Sequence, residues 1–261
     1  MDVATIKSYK PETSSLSSGQ VLKEPYTAEK GKLIVREMTE LLVLDLVRKA
    51  MVTKQMTLTI GYDRTSIKCE YQGKTPQDSI FTVVKTGKRY AGKVGSDMYG
   101  RSCPKHAHGT GNLDHWTSST AAIMDTMMTL FDRIVDKDLM IRRVNITACN
   151  LIPEDEIPEE APEQLNLFVN YEAMEREKSE RNAAEERERR IQRVTLQIQE
   201  RFGKNSLLKG MNLLDGGTTR ERNEQIGGHR AGSDTLSSHS SPKNAEDSHA
   251  PDSPQKEGDC E

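Results

Sequence analysis

The side chains with the clearest capacity for chemistry are one thiol and two imidazoles, at Cys103, His106 and His108. A structural zinc site normally takes four ligands, and no second pair of Cys or His stands nearby in the sequence. The adjacent acidic pair Asp155–Glu156 lies between prolines in a polar segment that would not hold a metal rigidly. No Ser-His-Asp spacing, phosphate-binding glycine loop or dinucleotide fingerprint is present. We therefore predict no catalytic residue, no metal site and no cofactor in this chain.

A short peptide motif is more informative. The run Gln164-Leu165-Asn166-Leu167-Phe168 follows an acidic, proline-rich stretch and has the pattern by which bacterial DNA-handling proteins dock on the replication sliding clamp. Leu167 and Phe168 would be apolar anchors in a groove, while the Gln164 amide fixes the register. The alternative is an ordinary apolar segment that packs ahead of a helix. The motif predicts a clamp-binding site made by Gln164, Leu165, Leu167 and Phe168.

Charge divides the 261 residues into two unlike halves. Residues 1–152 hold 22 Lys and Arg against 16 Asp and Glu, a net charge of +6, and residues 153–261 hold 15 against 24, a net charge of −9. A basic half suits a polyanionic partner, and an acidic half suits solubility or shielding. The composition, 34% hydrophobic and 30% charged, is too polar for the whole chain to be core.

The cellular compartment can be predicted from the spacing of the cysteines and from the lack of long apolar runs. The four cysteines, Cys69, Cys103, Cys149 and Cys260, show no paired spacing, and residues 1–5 do not resemble the start of a signal peptide. No apolar run approaches the roughly 18 residues that indicate a membrane span. We predict a cytoplasmic protein with no membrane partner.

Hydrophobic periodicity predicts an α+β domain over residues 16–152. A strand over residues 16–26 leads into an amphipathic helix over about 27–51, with Val35, Met38, Leu42 and Leu46 on its buried side. Alternation predicts further strands around residues 56–62, 106–116 and 143–148, and Ser118 or Ser119 caps a second helix that ends near residue 136. Residues 64–105 are rich in Gly and basic residues and form an insertion or hairpin. The result is a four-stranded antiparallel sheet with two helices on one face and a polar face left open.

The remaining segments divide by composition. Residues 1–15 are a connector and 153–169 an extended linker that carries the peptide motif. Residues 170–228 begin with a charged, solvated helix to about residue 202, whose last turns carry an apolar stripe at Ile191, Val194, Ile198 and Phe202 and could dock on the domain or a partner. Residues 229–261 have almost no apolar content and should be a disordered tail.

Several separate stretches resemble the C-terminal part of a Y-family translesion DNA polymerase of the DinB/UmuC type, and the match is to its little-finger domain. They follow the family's order and cover most of residues 7–230, and the peptide motif falls where the family carries it. The last stretches resemble the ends of such polymerases in Gram-positive bacteria. The stretches are residues 15–22, 61–63, 99–101, 104–110, 141–144, 202–205, 208–213 and 222–229.

The resemblance implies that the open sheet face contacts the DNA backbone rather than reading bases. Residues 1–15 would correspond to the end of the thumb. The palm, whose carboxylates hold the Mg²⁺ ions, would not be in this chain, so we expect no polymerase activity from it alone. The implied partners are duplex or primer-template DNA and the sliding clamp. The predicted DNA-binding residues are Ser17, Ser18, Thr57, Thr59, Arg142, Arg143, Asn145 and Thr147.

Three functional hypotheses remain open. The chain is a DNA-binding and clamp-binding module without catalysis, the second chain of a split polymerase whose palm is a separate polypeptide, or an adaptor that occupies the clamp and regulates other polymerases without touching DNA. The first two require a DNA affinity that falls steeply with salt, and the third does not.

Overall fold

The computed structural model describes residues 14–71, 79–97, 99–158, 171–226 and 229–230. Up to residue 224 these residues belong to one compact unit. Its elements, in chain order, are β1 (Leu16–Tyr26), α1 (Ala28–Arg48), β2 (Met51–Tyr62), β3 (Ile67–Tyr71), β4 (Ile80–Val83), β5 (Val94–Ser96), β6 (Ser102–Pro104), β7 (Ala107–Thr117), α2 (Thr120–Ile134), β8 (Ile141–Cys149), β9 (Ile152–Pro153), α3 (Tyr171–Phe202) and α4 (Thr219–Asn223).

The main sheet has the strand order β1-β8-β2-β7, and each neighbouring pair is antiparallel. A fifth strand, the two-residue β9, pairs with the start of β2 at Met51 and Val52. The prediction of four strands is therefore wrong by one. The chain turns back after β8 at Asn150, which has a φ of 53°, and so returns beside β2. Two residues are too short a run for alternation to reveal from the sequence.

Helices α1 and α2 cover one face of this sheet. Thr27 caps α1 by accepting from the Lys30 backbone N–H, and Ser119 caps α2 by accepting from the Ala122 N–H at 3.2 Å. The apolar stripe predicted for α1 is confirmed, and on both helices the side chains that point at the sheet are fully or almost fully buried. These are Val35, Met38, Leu42 and Leu46 from α1, and Ile123, Met127, Leu130 and Phe131 from α2.

The predicted insertion folds as two small hairpins, β3–β4 and β5–β6. They share a second apolar cluster around Ile67, Val83 and Leu139, against which Phe81, Tyr90 and Val94 pack. This cluster also includes Tyr62 at the end of β2, whose hydroxyl accepts from the Asp136 backbone N–H at 2.8 Å. The hairpins therefore lie at the end of the sheet where β2 ends and β8 begins.

Helix α3 docks on the helical layer instead of standing fully in solvent. Glu185 accepts from His115 Nε2 and Thr117 Oγ1 at 2.7 and 3.0 Å, and Gln192 donates to the Ser118 carbonyl at 3.0 Å. The docking side is centred on Gln192 and Leu196, whereas three residues of the predicted apolar stripe are exposed, namely Ile191, Val194 and Phe202. The first half of the helix, residues 172–184, is exposed as expected for a solvated helix, and the second half docks mainly through carboxylate and amide side chains.

A C-terminal segment, residues 203–224, continues from α3 and crosses α1. Its anchor is Glu37, a carboxylate of α1 that is only 1% exposed. Glu37 accepts from Asn212 Nδ2 at 3.1 Å and from the Thr218 backbone N–H at 2.8 Å. Arg222 donates to Gln20 and Ser18 on β1 at 3.0 and 2.6 Å. Burial lowers the pKa of the Arg222 guanidinium, while the carboxylates of Glu37 and Asp45 act in the opposite direction.

The second compact unit begins at Gln225. Its described part is a short antiparallel pair, β10 (Gln225–Ile226) with β11 (His229–Arg230). The rest of the predicted tail, residues 231–261, lies outside the described residues. Residues 1–13 of the predicted connector also lie outside them. Among the helices that the structure describes, none combines the length and apolar character needed to cross a bilayer.

Candidate nucleic-acid interface

Strand register defines a second face of the main sheet, opposite α1 and α2, that no element of the described residues covers. Because side chains alternate along a strand, residues that are paired across neighbouring strands share a face. Two rows cross the four long strands on this side. The first is Ser17–Thr147–Thr57–Thr110 and the second is Gly19–Asn145–Thr59–His108. We call these eight residues, together with Arg143, the open face.

Hydrogen bonds between side chains order this face. Ser17 and Thr147 hydroxyls lie 2.9 Å apart, and Thr59 Oγ1 lies 2.8 Å from His108 Nδ1. No residue in the two rows is a carboxylate. The face thus offers hydroxyl, amide and imidazole groups to a ligand without acidic repulsion, which suits contact with phosphate oxygens.

Arg143 provides the positive charge of the open face. It pairs with Val21 of β1 and Gly61 of β2, and its side chain is exposed. Within the described residues it has no ion-pair partner. Its guanidinium is therefore available to an anion.

Arg142 differs from its neighbour because the ladder is irregular at this point. Gly61 pairs with Arg143 and Tyr62 with Ile141, so Arg142 has no paired residue on β2. Its NH1 group donates to the Lys23 carbonyl at 2.8 Å, and its Nε lies 3.9 Å from the Asp63 carboxylate. Part of its charge is thus already matched inside the domain.

Ser18 does not share the open face, which corrects its place in the predicted set. It pairs with Ile146, whose side chain is fully buried beneath the helices, and it accepts a hydrogen bond from Arg222 at 2.6 Å. Adjacent residues of a strand point to opposite sides, so Ser17 and Ser18 cannot both contact one ligand on one face. Of the predicted DNA-binding residues, the sheet brings together Ser17, Thr57, Thr59, Arg143, Asn145 and Thr147.

Three further polar residues, His108, Thr110 and Asn112, extend this side along the edge strand β7. His108 and Thr110 belong to the two rows, and Asn112 accepts from Gln55 Nε2 at 3.1 Å. They were not among the predicted residues. Their alternation with Ala107, Gly109 and Gly111 was the signal in the sequence, since small residues at every second position leave room for packing on the other side.

Two glycines of the open face's strands, Gly19 and Gly61, leave space above the backbone next to its polar side chains. A Cβ on Gly19 would come within 2.8 Å of Asn145 Oδ1, and one on Gly61 within 3.0 Å of Arg143 Cβ. The side chains of Asn145 and Arg143 therefore lie over bare backbone. Glycine within a strand often marks a place where another backbone or a ligand approaches closely.

Two other groups of residues were considered as metal sites from the sequence, one around Cys103 and the other at Asp155–Glu156. Burial raises the pKa of the Cys103 thiol, with the Asp97 carboxylate adding to the effect, so a metal-binding thiolate is disfavoured. Asp155 and Glu156 are exposed in a single turn of 3₁₀-helix. Across the part of the chain that the structure describes, no three His, Cys, Asp or Glu side chains converge on a metal position. These residues do not fit the two Mg²⁺ ions of a polymerase palm.

The predicted clamp-binding residues Gln164, Leu165, Leu167 and Phe168 lie outside the described residues, which break off at residue 158 and resume at 171. The sequence on either side belongs to described elements: β9 pairs with β2 before it, and α3 docks on the helical layer after it.

A sheet of this strand order, with two helices on one face and a polar face left open, has the architecture expected for the little-finger domain of a Y-family DNA polymerase. Residues 13–167 match the impB/mucB/samB family C-terminal domain, and the chain belongs to this family. No curated protein matches the chain significantly.

Proposed function

We propose that the open face binds the phosphate backbone of duplex or primer-template DNA, as the C-terminal part of a translesion polymerase. The observation that carries this proposal is the pair of polar, carboxylate-free rows beside the available Arg143 guanidinium. Hydroxyl and amide contacts position a protein on a duplex without reading its sequence, and a guanidinium releases counterions from the phosphates. The family membership supports a DNA partner.

The test is fluorescence anisotropy with a labelled primer-template duplex, titrated with the full chain at several salt concentrations. Arg143→Gln should make the slope of log affinity against log salt less steep by about 0.9, the value for one lost phosphate contact. The matched control is Arg36→Gln, because Arg36 is exposed on α1 in the helical layer. Wild-type affinity that does not change with salt would contradict the proposal.

A second proposal concerns the peptide at Gln164–Phe168, which has the sequence pattern of a sliding-clamp ligand. We propose that Leu167 and Phe168 anchor it in a clamp groove and that the Gln164 amide fixes its register. The chain would then hold two partners through separate parts. DNA and the clamp meet at the replication fork, so we place the protein in the cytoplasm of a bacterial cell.

Catalysis in this proposal requires carboxylates that the described residues do not bring together. Primer extension would depend on a palm domain and its Mg²⁺ ions, present in the same polypeptide or in a separate chain. The competing hypothesis is an adaptor that occupies the clamp and regulates other polymerases. It predicts clamp binding with no salt-dependent DNA affinity, which the titration above distinguishes.

A further inference from the structure

The hairpin β5–β6 carries two lysines that face each other across its strands. Val94 pairs with Pro104, and the Lys105 backbone N–H donates to the Lys93 carbonyl at 2.8 Å, so the ladder continues one step and sets Lys93 opposite Lys105. Residues in such a pair have Cβ atoms roughly 5 Å apart, and like charges placed directly opposite destabilise the pair.

Both lysines project away from the protein interior. Val94 packs against the second apolar cluster and Pro104 is buried, so the alternate residues share the outer side, namely Lys93, Gly95, Cys103 and Lys105. Lys93 and Lys105 are exposed, and a Cβ on the neighbouring Gly95 would meet nothing within 4 Å. Space for a ligand therefore exists beside the two ammonium groups.

No acidic side chain of residues 79–105 neutralises this pair among the residues that the structure describes. Residues 79–105 contain six Lys and Arg and one acidic residue, Asp97. Asp97 is committed to the hairpin turn: it accepts from the Tyr99 and Arg101 backbone N–H groups at 2.9 Å each and pairs with the Arg101 guanidinium at 2.7 Å. Within the described residues, Lys93 and Lys105 have no ion-pair partner.

The pair lies close to the open face along the chain. Strand β6 leads directly into β7, and Lys105 precedes His108 of the open face by three residues. Three residues of chain span at most about 10 Å. The same distance along a duplex is about three nucleotides at 3.4 Å each, so one DNA backbone can reach both places.

We propose that Lys93 and Lys105 form a phosphate-binding site on the β5–β6 hairpin, which binds the DNA backbone beyond the end of the open face. A phosphate between the two ammonium groups relieves their mutual repulsion and releases counterions from the DNA. This inference rests on the proposed DNA binding and adds contacts that the main sheet does not supply.

The test uses the full chain and a fluorescein-labelled primer-template duplex in anisotropy titrations from about 50 to 200 mM NaCl, the range over which phosphate contacts are strongly salt-dependent. Lys93→Gln with Lys105→Gln should reduce the salt slope by about 1.8 and weaken binding roughly tenfold at 100 mM salt. The matched control is Arg36→Gln with Lys49→Gln, which removes two exposed charges, on α1 and at its C-cap, that have no ion-pair partner among the described residues.

A charge reversal supplies a second readout. Lys105→Glu places opposite charges across the hairpin, so the thermal unfolding temperature should stay level or rise while DNA affinity falls further than in the glutamine variant. A loss of affinity together with a lower unfolding temperature would point to a misfolded hairpin and would overturn the inference.

The failures of the two proposals are distinguishable. If the wild-type chain binds with a steep salt slope and Arg143→Gln flattens it, but the double lysine variant behaves as wild type, the hairpin site is refuted and the open face stands. If the wild-type chain shows no salt-dependent affinity, the proposed DNA binding itself is refuted.

Discussion

Two residues without side chains determine how closely α2 approaches the edge strand β7. A Cβ on Gly109 would come within 2.9 Å of both Leu130 Cδ1 and Ile134 Cγ2, and one on Gly111 within 2.6 Å of Thr126 Cγ2. Real Cβ atoms essentially never make contacts below 3.0 Å. The helix therefore packs on bare backbone here, and the polar residues that alternate with these glycines, His108, Thr110 and Asn112, lie on the opposite side.

We expect Gly109→Ala to destabilise the domain by about 1–2 kcal/mol, because α2 must shift or repack to accept the new methyl group. Chemical denaturation monitored by circular dichroism measures the free energy of unfolding. The matched control is Gly95→Ala, since a Cβ at that position meets nothing within 4 Å. Equal stability of the two variants would show that α2 does not rest directly on β7.

The open face was predictable at residue level only where the strands are regular. Alternation placed Thr57, Thr59, Asn145 and Thr147 on one side, and the register confirms it. Alternation alone could not detect the ladder irregularity that leaves Arg142 without a partner on β2. Such irregularities depend on pairing between distant parts of the chain, which a single strand's pattern does not contain.

At the scale of elements, polar contacts join the C-terminal elements to the domain, together with the buried side chain of Leu196. Glu188 of α3 accepts from Ser119 Oγ at 2.6 Å and from the Ala121 backbone N–H at 3.2 Å at the start of α2. A carboxylate near a helix N-terminus is also favoured by the helix dipole. Hydrophobic periodicity predicted α3 itself but pointed to the wrong docking side, because it gives no weight to carboxylate and amide groups.

The C-terminal segment, residues 203–224, depends on Glu37. We expect Glu37→Ala to release this segment from α1, because each buried donor left without an acceptor costs about 1–3 kcal/mol. Limited trypsin digestion should cut faster at Arg220 and Arg222, while circular dichroism shows the main sheet unchanged. Glu29→Ala, an exposed carboxylate on the same helix, should leave the digestion rate at the wild-type value. A Glu37→Ala protein digested at the wild-type rate would refute this role.

At the scale of the whole molecule, the two sides of the sheet have different surroundings. One side is covered by α1 and α2, to which α3 and the C-terminal segment attach through Gln192 and Glu37. The other side carries hydroxyl, amide and guanidinium groups, and no element of the described residues covers it. The net charge follows a similar division, +6 over residues 1–152 and −9 over residues 153–261. The acidic half is unsuited to contact phosphates, so DNA and clamp binding should depend on separate parts of the chain.

If DNA and the clamp bind to separate parts of the chain, a substitution can abolish one kind of binding and leave the other intact. Changing Leu167 and Phe168 to Ala should reduce binding to a bacterial sliding clamp to background in surface plasmon resonance, because truncating both apolar anchors empties the groove. The same variant should keep wild-type affinity and salt slope for primer-template DNA. The control is Leu213→Ala with Leu214→Ala, which removes two leucine side chains that are 67% and 58% exposed and lie outside the motif. If the Leu167 and Phe168 changes abolish DNA binding as well, the peptide is part of the folded DNA-binding unit, and the clamp proposal loses its basis.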